Sequence, residues 1–203
     1  MHKNSNALTF VLMTSLAIFM ASGTAVSAIT VVSFTDDFES EALQLNYTGF
    51  ANWSVSNGTV DTVGPTFGTP LIDCQGSQVC VDVDGSTNDA GVLSTIDDFA
   101  AGAYTLSFDI SGSQRVDTNT ITVLFGNLDE SFTLAGSDAW RKITRAVTLD
   151  SPDDLTFLMT GGDNSGILLD NVSVAPVPLP AAVWLLGSAL FIIRKRVPCI
   201  SSQ

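Results

Sequence analysis

Polar and apolar residues alternate along the middle of this chain, as they do in strands with one buried face. From residue 103 to residue 111 every second residue is large and apolar, and small or polar residues stand between them. The apolar positions are Tyr104, Leu106, Phe108 and Ile110. An amphipathic helix would place its apolar residues three and four apart, so this spacing predicts a β-strand instead.

Similar short apolar segments recur, separated by Gly, Asn, Asp and Ser. The further strand candidates are residues 29–34, 53–55, 60–63, 79–83, 92–96, 121–125, 131–134, 142–149, 155–159 and 168–174. No convincing amphipathic helix of ten residues lies between residues 29 and 176. Many short strands joined by polar turns are typical of a β-sandwich. We therefore expect residues 29–176 to form an all-β, jelly-roll sandwich.

The expected sandwich is strongly acidic. Residues 29–176 contain all 21 acidic residues of the 203-residue chain but only four of its 8 basic ones, which gives them a formal net charge of −17. Such a surface attracts cations and repels anionic polymers, although the solubility of an exported protein explains it equally well. Nucleic acid is therefore not an expected partner. The sole histidine, His2, excludes a His-based catalytic triad and a three-His zinc site.

Residues 1–28 have the organisation of a secretory signal peptide. Lys3 supplies a positive charge, an uncharged run follows over residues 7–20, and small residues end at Ala28. We expect cleavage after Ala28 and export of the sandwich. An uncleaved N-terminal anchor is the alternative.

The C-terminal part contains a second apolar segment. Residues 181–193 carry no charge and no proline, and Arg194, Lys195 and Arg196 follow them. As a helix the segment would be about 20 Å long, which is shorter than the roughly 30 Å hydrocarbon core of a bilayer. We expect a single short transmembrane helix with a basic stop on the cytoplasmic side and a cytoplasmic tail over residues 197–203. A buried C-terminal strand or core helix is the alternative.

The motif at residues 177–182, Val-Pro-Leu-Pro-Ala-Ala, precedes this apolar segment and its basic cluster. Together, residues 177–196 resemble the PEP-CTERM sorting signal in its VPLPA form. The resemblance implies a Gram-negative bacterium that makes exopolysaccharide, and an exosortase, a membrane enzyme similar to a transpeptidase, as a partner. It implies that Val177, Pro178, Leu179 and Pro180 are the recognition residues. The implied route is an inner-membrane intermediate with a periplasmic domain, and then the cell surface or the extracellular matrix.

A second resemblance covers most of residues 34–174. It rests on Asp-Phe-Glu at 37–39, Trp-Ser-Val at 53–55, Gly-Thr-Val-Asp at 58–61 and Leu-Asp-Asn-Val at 169–172. Their order resembles galactose-binding-like jelly rolls and related carbohydrate-binding modules of secreted bacterial proteins. The resemblance implies a structural Ca²⁺ held by Glu39 and Asp170.

Strand alternation offers independent support for a metal ligand at Asp170. It places Asp170 on one face with Leu168, Val172 and Val174, and a carboxylate facing a core is costly unless it is paired, hydrogen-bonded or metal-bound. A turn cap or an acceptor of backbone N–H groups is the alternative. Asp37, with Asp36, is a further candidate ligand. The Asp-rich residues 82–89 lack the spacing of a calcium loop and predict a turn.

The two cysteines of the expected sandwich, Cys74 and Cys80, enclose five residues. In an oxidising compartment they predict a disulfide that closes a small loop. A redox pair is disfavoured because the spacing is not Cys-x-x-Cys. Cys199 lies beyond the basic cluster and has no exported partner.

Three aromatic residues, Trp53, Tyr47 and Trp140, are candidates for stacking on sugar rings, although a core position is the more common role of such a residue. We expect a non-catalytic, exported protein that binds glycan or exopolysaccharide. A structural or adhesive matrix protein, stabilised by calcium and without sugar binding, is the alternative. A glycoside hydrolase using two carboxylates is a weaker one, because 21 acidic residues always offer some suitably spaced pair.

Overall fold

The computed structural model describes residues 33–67, 71–87, 89–161 and 163–178, which form two antiparallel β-sheets around one main core. The strands are β1 (Phe34–Asp36), β2 (Trp53–Ser56), β3 (Asp61–Val63), β4 (Cys80–Asp82), β5 (Val92–Thr95), β6 (Gly102–Ser111), β7 (Thr118–Phe125), β8 (Leu128–Ala135), β9 (Arg141–Leu149), β10 (Thr156–Thr160) and β11 (Leu168–Pro176). The prediction of an all-β sandwich is confirmed.

The first sheet has the strand order β3-β4-β11-β6-β9, and β1 also pairs with β11. Strand β11 has two successive neighbours along one edge: its first residues pair with β4 and its later residues pair with β1. The second sheet has the order β2-β5-β10-β7-β8. Strands β8 and β9 are thus edge strands of different sheets. Within the first sheet, β6 and β9 have the largest number of paired residues.

Alternation along β6 holds as predicted. Tyr104, Leu106, Phe108 and Ile110 are all buried in the main core, at 2% exposure or less. They face residues of the second sheet such as Phe157, whose ring centroid lies 5.3 Å from that of Phe108. Full burial of a side chain of this size stabilises the fold by about 1.5–3 kcal/mol.

A β-bulge in β11 changes the predicted face of Asp170. The register between β11 and β6 shifts between Asp170 and Ser173, and Asn171 takes a left-handed φ of 52°. The extra residue reverses the alternation, so that Val172 and Val174 lie in the main core while Asp170 points to the opposite face. The expectation that Asp170 shares a face with Val172 and Val174 was therefore wrong. Asp170 is nonetheless buried, at 1% exposure.

A second, smaller cluster lies on that opposite face of the first sheet. It consists of Val63, Ile72, Cys74, Cys80 and Leu168. Cys74 and Cys80 form a disulfide with their Cα atoms 5.7 Å apart, as the sequence predicts. The segment that carries Cys74 therefore covers part of the outer face of the sheet.

The predicted terminal signals fall largely outside the described residues. These include the signal peptide (1–28), the apolar segment (181–193), the tail (197–203), and the residues Leu179, Pro180, Arg194, Lys195 and Arg196. Val177 and Pro178 are described and exposed, and the Val177 N–H donates to the Ala103 carbonyl at 2.8 Å. The described part of the chain contains no helix that is long and apolar enough to cross a membrane.

Candidate functional site

An open cleft of about 320 Å³ lies where β3 meets several loops. Its lining combines two hydrophobic side chains that water reaches, Leu45 and Phe67, with several polar ones. Among the described residues, the lining consists of Leu45, Asp61, Val63, Phe67, Ser86, Arg115 and Asn164. Small-molecule sites commonly have volumes of about 300–1,000 Å³ and combine apolar walls with a few placed polar groups.

The carboxylate of Asp61 is held in a fixed orientation on one wall. Its Oδ1 accepts the N–H of Asn46 at 2.6 Å, and its Oδ2 accepts the hydroxyl of Ser86 at 2.6 Å. Because Ser86 comes from the β4–β5 loop (residues 83–91), the second of these bonds attaches that loop to β3. Each carboxylate oxygen retains acceptor capacity for a ligand hydroxyl.

Of the described residues that line the cleft, Arg115 is the only basic one. It comes from the β6–β7 loop (residues 112–117), and its Nη1 donates to the Asn164 carbonyl at 2.8 Å. Its Nε is buried and has no hydrogen-bond partner among the described residues. A guanidinium carries five N–H donors in a fixed fork, so the exposed ones that the protein does not use suit planar, paired hydrogen bonding with a ligand.

The loops that carry Arg115 and Asn164 are joined through Asp117. The Ser113 hydroxyl donates to its Oδ1, and the Ser165 hydroxyl donates to its Oδ2. Ser165 belongs to the β10–β11 loop (residues 161–167). The two loops are therefore connected by one carboxylate, which reduces the freedom of the cleft's polar wall.

Asp82 is a buried carboxylate on β4, directly opposite Asp61 in the β3–β4 register. Burial raises its pKa to about 7, and the nearby charge of Asp61 adds to the rise. The backbone N–H groups of Asp84 and Gly166 donate to Asp82 Oδ1, at 3.1 Å and 2.9 Å. These two bonds and the charge of Arg115 lower the pKa of Asp82 and so oppose the effect of burial. A side chain at position 166 would meet Asp82 Oδ1 at 2.5 Å, which explains why glycine stands there.

The predicted calcium ligands Glu39 and Asp170 are near enough for their charges to interact, and Glu39 contacts the disulfide loop. Glu39 Oε1 accepts the N–H groups of Gln78 at 2.7 Å and Val79 at 3.1 Å. Burial raises the pKa of Asp170 to about 6, the nearby Ser77 hydroxyl opposes the rise, and the charge of Glu39 adds to it. The disulfide-closed loop thus supplies the groups between the two carboxylates.

One oxygen of Asp170 is not satisfied by the protein. Its Oδ1 accepts the N–H of Asn171 at 2.7 Å, whereas its Oδ2 is buried without a hydrogen-bond partner among the described residues. A second acidic residue, Asp109, pairs with Asp170 in the β6–β11 register and is bonded to Lys142 at 3.0 Å. An orphaned carboxylate oxygen next to Glu39 fits a hard cation, which prefers oxygen ligands.

The third predicted ligand, Asp37, has a different local role. Its Oδ1 accepts the N–H of Glu39 at 3.2 Å, so it caps the turn that carries Glu39. Asp37 also lines a second open cleft, of about 330 Å³, together with Asn171. In the described ranges no group of three or more His, Cys, Asp or Glu side chains is arranged to hold a metal ion. A cation at Glu39 and Asp170 would need hydroxyl, main-chain or water oxygens to complete its shell.

The three predicted stacking residues have different environments. Trp53 is 1% exposed, packs in the main core and donates its Nε1–H to Asp36 Oδ2 at 2.9 Å. The Trp53 ring is packed on both faces by the core and is not open to a sugar. The prediction that Trp53 stacks on a sugar was therefore wrong. Tyr47 is partly buried with its hydroxyl on Glu41, and Trp140 is partly buried against the small cluster. For these two, stacking stays a prediction.

The sequence reasoning did not select the residues that line the first cleft. Phe67 follows a Pro-Thr turn and belongs to no periodic pattern. Arg115 alone could have been noticed as a candidate binding residue, because it stands apart from the other three basic residues of this strongly acidic part of the chain. Asp61 was visible only as part of a strand motif.

No family model matches the chain, and no curated protein matches it. Among solved structures, the K3 cleaved adhesin domain of Lys-gingipain from Porphyromonas gingivalis is 19% identical with a TM-score of 0.48, and the match covers 70% of this chain and 98% of that one. The CBM22-1 xylan-binding domain of Paenibacillus barcinonensis Xyn10C is 12% identical with a TM-score of 0.45, covering 74% and 96%. The C-terminal CBM6 of LamC from Zobellia galactanivorans is 11% identical with a TM-score of 0.42, covering 71% and 99%. These similarities concern the β-sandwich and do not extend to function.

Proposed function

We propose that this chain is an exported, non-catalytic protein of the cell surface or extracellular matrix, and that it binds glycan in the cleft lined by Phe67 and Arg115. The observation that carries the proposal is the combination of water-accessible apolar side chains with fixed hydrogen-bonding groups in that cleft. Sugars present both kinds of surface, because their rings carry C–H patches and their hydroxyl groups act as donors and acceptors.

The charge of the sandwich favours a neutral glycan. Residues 29–176 have a formal net charge of −17, which repels anionic polymers. Asp61 can accept hydrogen bonds from sugar hydroxyl groups and Arg115 can donate to hydroxyl oxygens, so one wall of the cleft can recognise both ends of a diol. Phe67 offers its ring to the C–H patch of the same sugar.

Glycan-array binding of the full chain, purified in mild detergent, tests this proposal. We expect retention on one class of neutral polysaccharide, and we expect Arg115→Ala and Phe67→Ala each to weaken it by about tenfold, equivalent to about 1.4 kcal/mol. Arg141→Ala is the matched control, because Arg141 is exposed on β9 and does not line the cleft. Binding of no sugar at all would contradict the proposal.

The sorting route is a separate part of the proposal and rests on the sequence of residues 177–196. An extended Pro-rich segment lacks helix hydrogen bonds, which suits recognition by a membrane-embedded enzyme. We expect alanine replacement of Val177, Pro178, Leu179 and Pro180 to leave an unprocessed, membrane-held precursor in the native cell. Intact-mass analysis reads this out, with deletion of residues 197–203 as the control. Unchanged processing and destination after truncation before residue 177 would contradict the route.

A calcium-stabilised structural or adhesive protein is the second candidate, and the environment of Asp170 supports it. Glu39 and the orphaned Oδ2 of Asp170 would hold the cation, which would link the β1–β2 segment to β11. In this case calcium raises the melting temperature by mass action while no sugar has any effect. Asp170→Asn should remove the part of the calcium response that comes from Glu39 and Asp170, and Asp97→Asn, which changes an exposed carboxylate in the β5–β6 loop, should not.

A further inference from the structure

Asp84, in the β4–β5 loop, is a carboxylate that the protein buries without satisfying it. The residue has 0% exposure, and neither of its side-chain oxygens has a hydrogen-bond partner among the described residues. An ionised carboxylate in that condition carries a large desolvation cost. The neighbouring buried carboxylate, Asp82, differs because it accepts two backbone N–H groups.

The carboxylate of Asp84 points towards the β10–β11 loop. A Cβ built on Gly161 would meet its Oδ2 at 2.5 Å and its Oδ1 at 2.9 Å, so both oxygens lie directly against that backbone. A glycine is therefore required at position 161 by the approach of the carboxylate and not by its own backbone conformation.

A second carboxylate, Asp163, comes from the same loop and is exposed to solvent. Burial raises the pKa of Asp84 to about 7, and the side chain and charge of Asp163 add to the rise. The backbone N–H groups of Asp163 and Ser165 approach Asp84 and partly oppose this effect. The Ser165 N–H is instead donated to Asp163 Oδ1 at 3.0 Å. Neither Asp84 oxygen forms a hydrogen bond of normal geometry with the described residues.

We propose that Asp84 and Asp163 together bind a hard divalent cation, best matched by Ca²⁺. The site offers oxygen ligands only, one carboxylate from inside the fold and one from the solvent side, and Ca²⁺ takes six to eight oxygens in flexible geometry. Two carboxylates do not fill such a shell, so main-chain and water oxygens complete it. A cation here neutralises two facing negative charges that otherwise repel each other.

This site is distinct from the one expected at Glu39 and Asp170, and it does not depend on glycan binding. Its structural effect would be to fasten the β10–β11 loop to the β4–β5 loop. Those loops also supply Asn164 and Ser86 to the cleft, so a bound cation would order two of its walls.

Calcium stoichiometry of the full chain tests the proposal. The chain is purified in mild detergent, treated with a chelator and titrated calorimetrically with CaCl₂ at pH 7.5. The Asp170→Asn background removes the other expected site. In that background we expect one equivalent of calcium to bind, and we expect Asp84→Asn to abolish it. Asp163→Asn should weaken it about tenfold or more, because calcium affinity follows the number of charged ligands. Asp97→Asn is the control.

The melting temperature gives a second readout that a merely structural aspartate would not produce. Without calcium, Asp84→Asn should melt no lower than the parent chain, because it removes a buried, unpaired charge. With calcium, the parent chain should melt higher than Asp84→Asn. The proposal is overturned if Asp84→Asn retains the same calcium equivalents. It is also overturned if the variant is destabilised equally with and without calcium, since Asp84 and Asp163 would then form only a proton-sharing carboxyl pair.

Discussion

Asp36 shows how one buried carboxylate can organise a turn and a core. Its Oδ1 accepts the N–H of Phe38 at 2.9 Å, and its Oδ2 accepts Asn52 Nδ2 and Trp53 Nε1, each at 2.9 Å. The bond to Phe38 holds that residue at a left-handed φ of 55°, which is an unfavourable conformation for a bulky side chain. All three donors converge on the Asp36 side chain, which serves only as a hydrogen-bond acceptor in these contacts.

The isosteric change Asp36→Asn should therefore be costly. An amide has one acceptor oxygen, so its NH₂ group would face at least one of these donors, and we expect a loss of about 1–3 kcal/mol in the free energy of unfolding. Urea denaturation measures the loss. Asp37→Asn, at the neighbouring exposed position, should change stability by less than about 0.5 kcal/mol. Equal effects of the two changes would contradict this account of Asp36.

At the scale of elements, the open edge between β8 and β9 is closed by an ion pair. Arg145 on β9 donates through Nε and Nη2 to the two oxygens of Glu130 on β8, both at 2.6 Å, and its guanidinium lies 5.6 Å from the centre of the Phe132 ring. The two strands belong to different sheets, so this contact joins the sheets at their edge. Its hydrogen bond to Arg145 lowers the pKa of Glu130.

The pair should stabilise the fold only where Glu130 is ionised. Because the folded-state pKa lies below the ordinary value, the contribution is complete above about pH 5 and is lost as the pH falls through the folded-state pKa. Both side chains are about one-third exposed, which limits the effect of Glu130→Gln at pH 7 to about 0.3–1 kcal/mol. The difference between Glu130→Gln and the parent chain, measured by urea denaturation, should shrink as the pH falls and vanish at the acid pH at which Glu130 is protonated in the folded state. A difference that persists there would show that packing, not charge, connects the strands.

The disulfide loop is the element that holds Glu39 near Asp170. The N–H groups of Gln78 and Val79 in that loop bind Glu39. The variant Cys74→Ala/Cys80→Ala should lose about 2 kcal/mol of stability, the low end for disulfides because the loop is short. It should also lower the melting-temperature increase that calcium produces through Glu39 and Asp170. Asp84→Asn should leave that part of the calcium response intact, which separates the two proposed sites.

Elements differed in how far the sequence alone could define them. The sequence predicted the bounds of β6 and β9 to within a residue or so. In a strand with one buried face, apolar and polar residues alternate along the sequence, so the strand can be recognised without knowledge of its partners. The bulge at Asn171 could not be read in that way, since it depends on how β11 changes partners from β4 to β1. One inserted residue moved Asp170 to the other face of the sheet. The disulfide was predictable from composition and spacing, whereas for Trp53 the sequence left two roles open, the more common one in a core and the other in stacking on a sugar.

At the scale of the whole molecule, the cleft is assembled from segments that are far apart in the chain. Leu45, Asp61, Ser86, Arg115 and Asn164 each come from a different segment. No local pattern links them, and their convergence follows from the strand order of the first sheet and from the bonds that Asp117 makes to two loops. Tertiary contacts of this kind carry no signature in a single sequence, which is why Phe67 and Arg115 were found only in the structure.

The net charge of the sandwich predicts a salt response that differs from the calcium response. With a formal net charge of −17 over residues 29–176, the folded state brings like charges together, and added salt screens their repulsion. We expect raising NaCl from about 0.02 to about 0.2 M, where the Debye length becomes shorter than about 10 Å, to raise the melting temperature of the chelated chain. A gain of about 1 kcal/mol would correspond to about 2–4 °C for a domain of this size.

Calcium at the same ionic strength separates screening from binding. Screening depends on ionic strength alone, so a chain without cation sites would melt at the same temperature in matched NaCl and CaCl₂ solutions. The parent chain should melt higher in CaCl₂, and the double variant Asp84→Asn/Asp170→Asn should show no such excess while keeping its response to NaCl. An excess that survives in the double variant would mean that calcium acts on the diffuse acidic surface. The buried carboxylates would then be incidental to how this sandwich responds to cations.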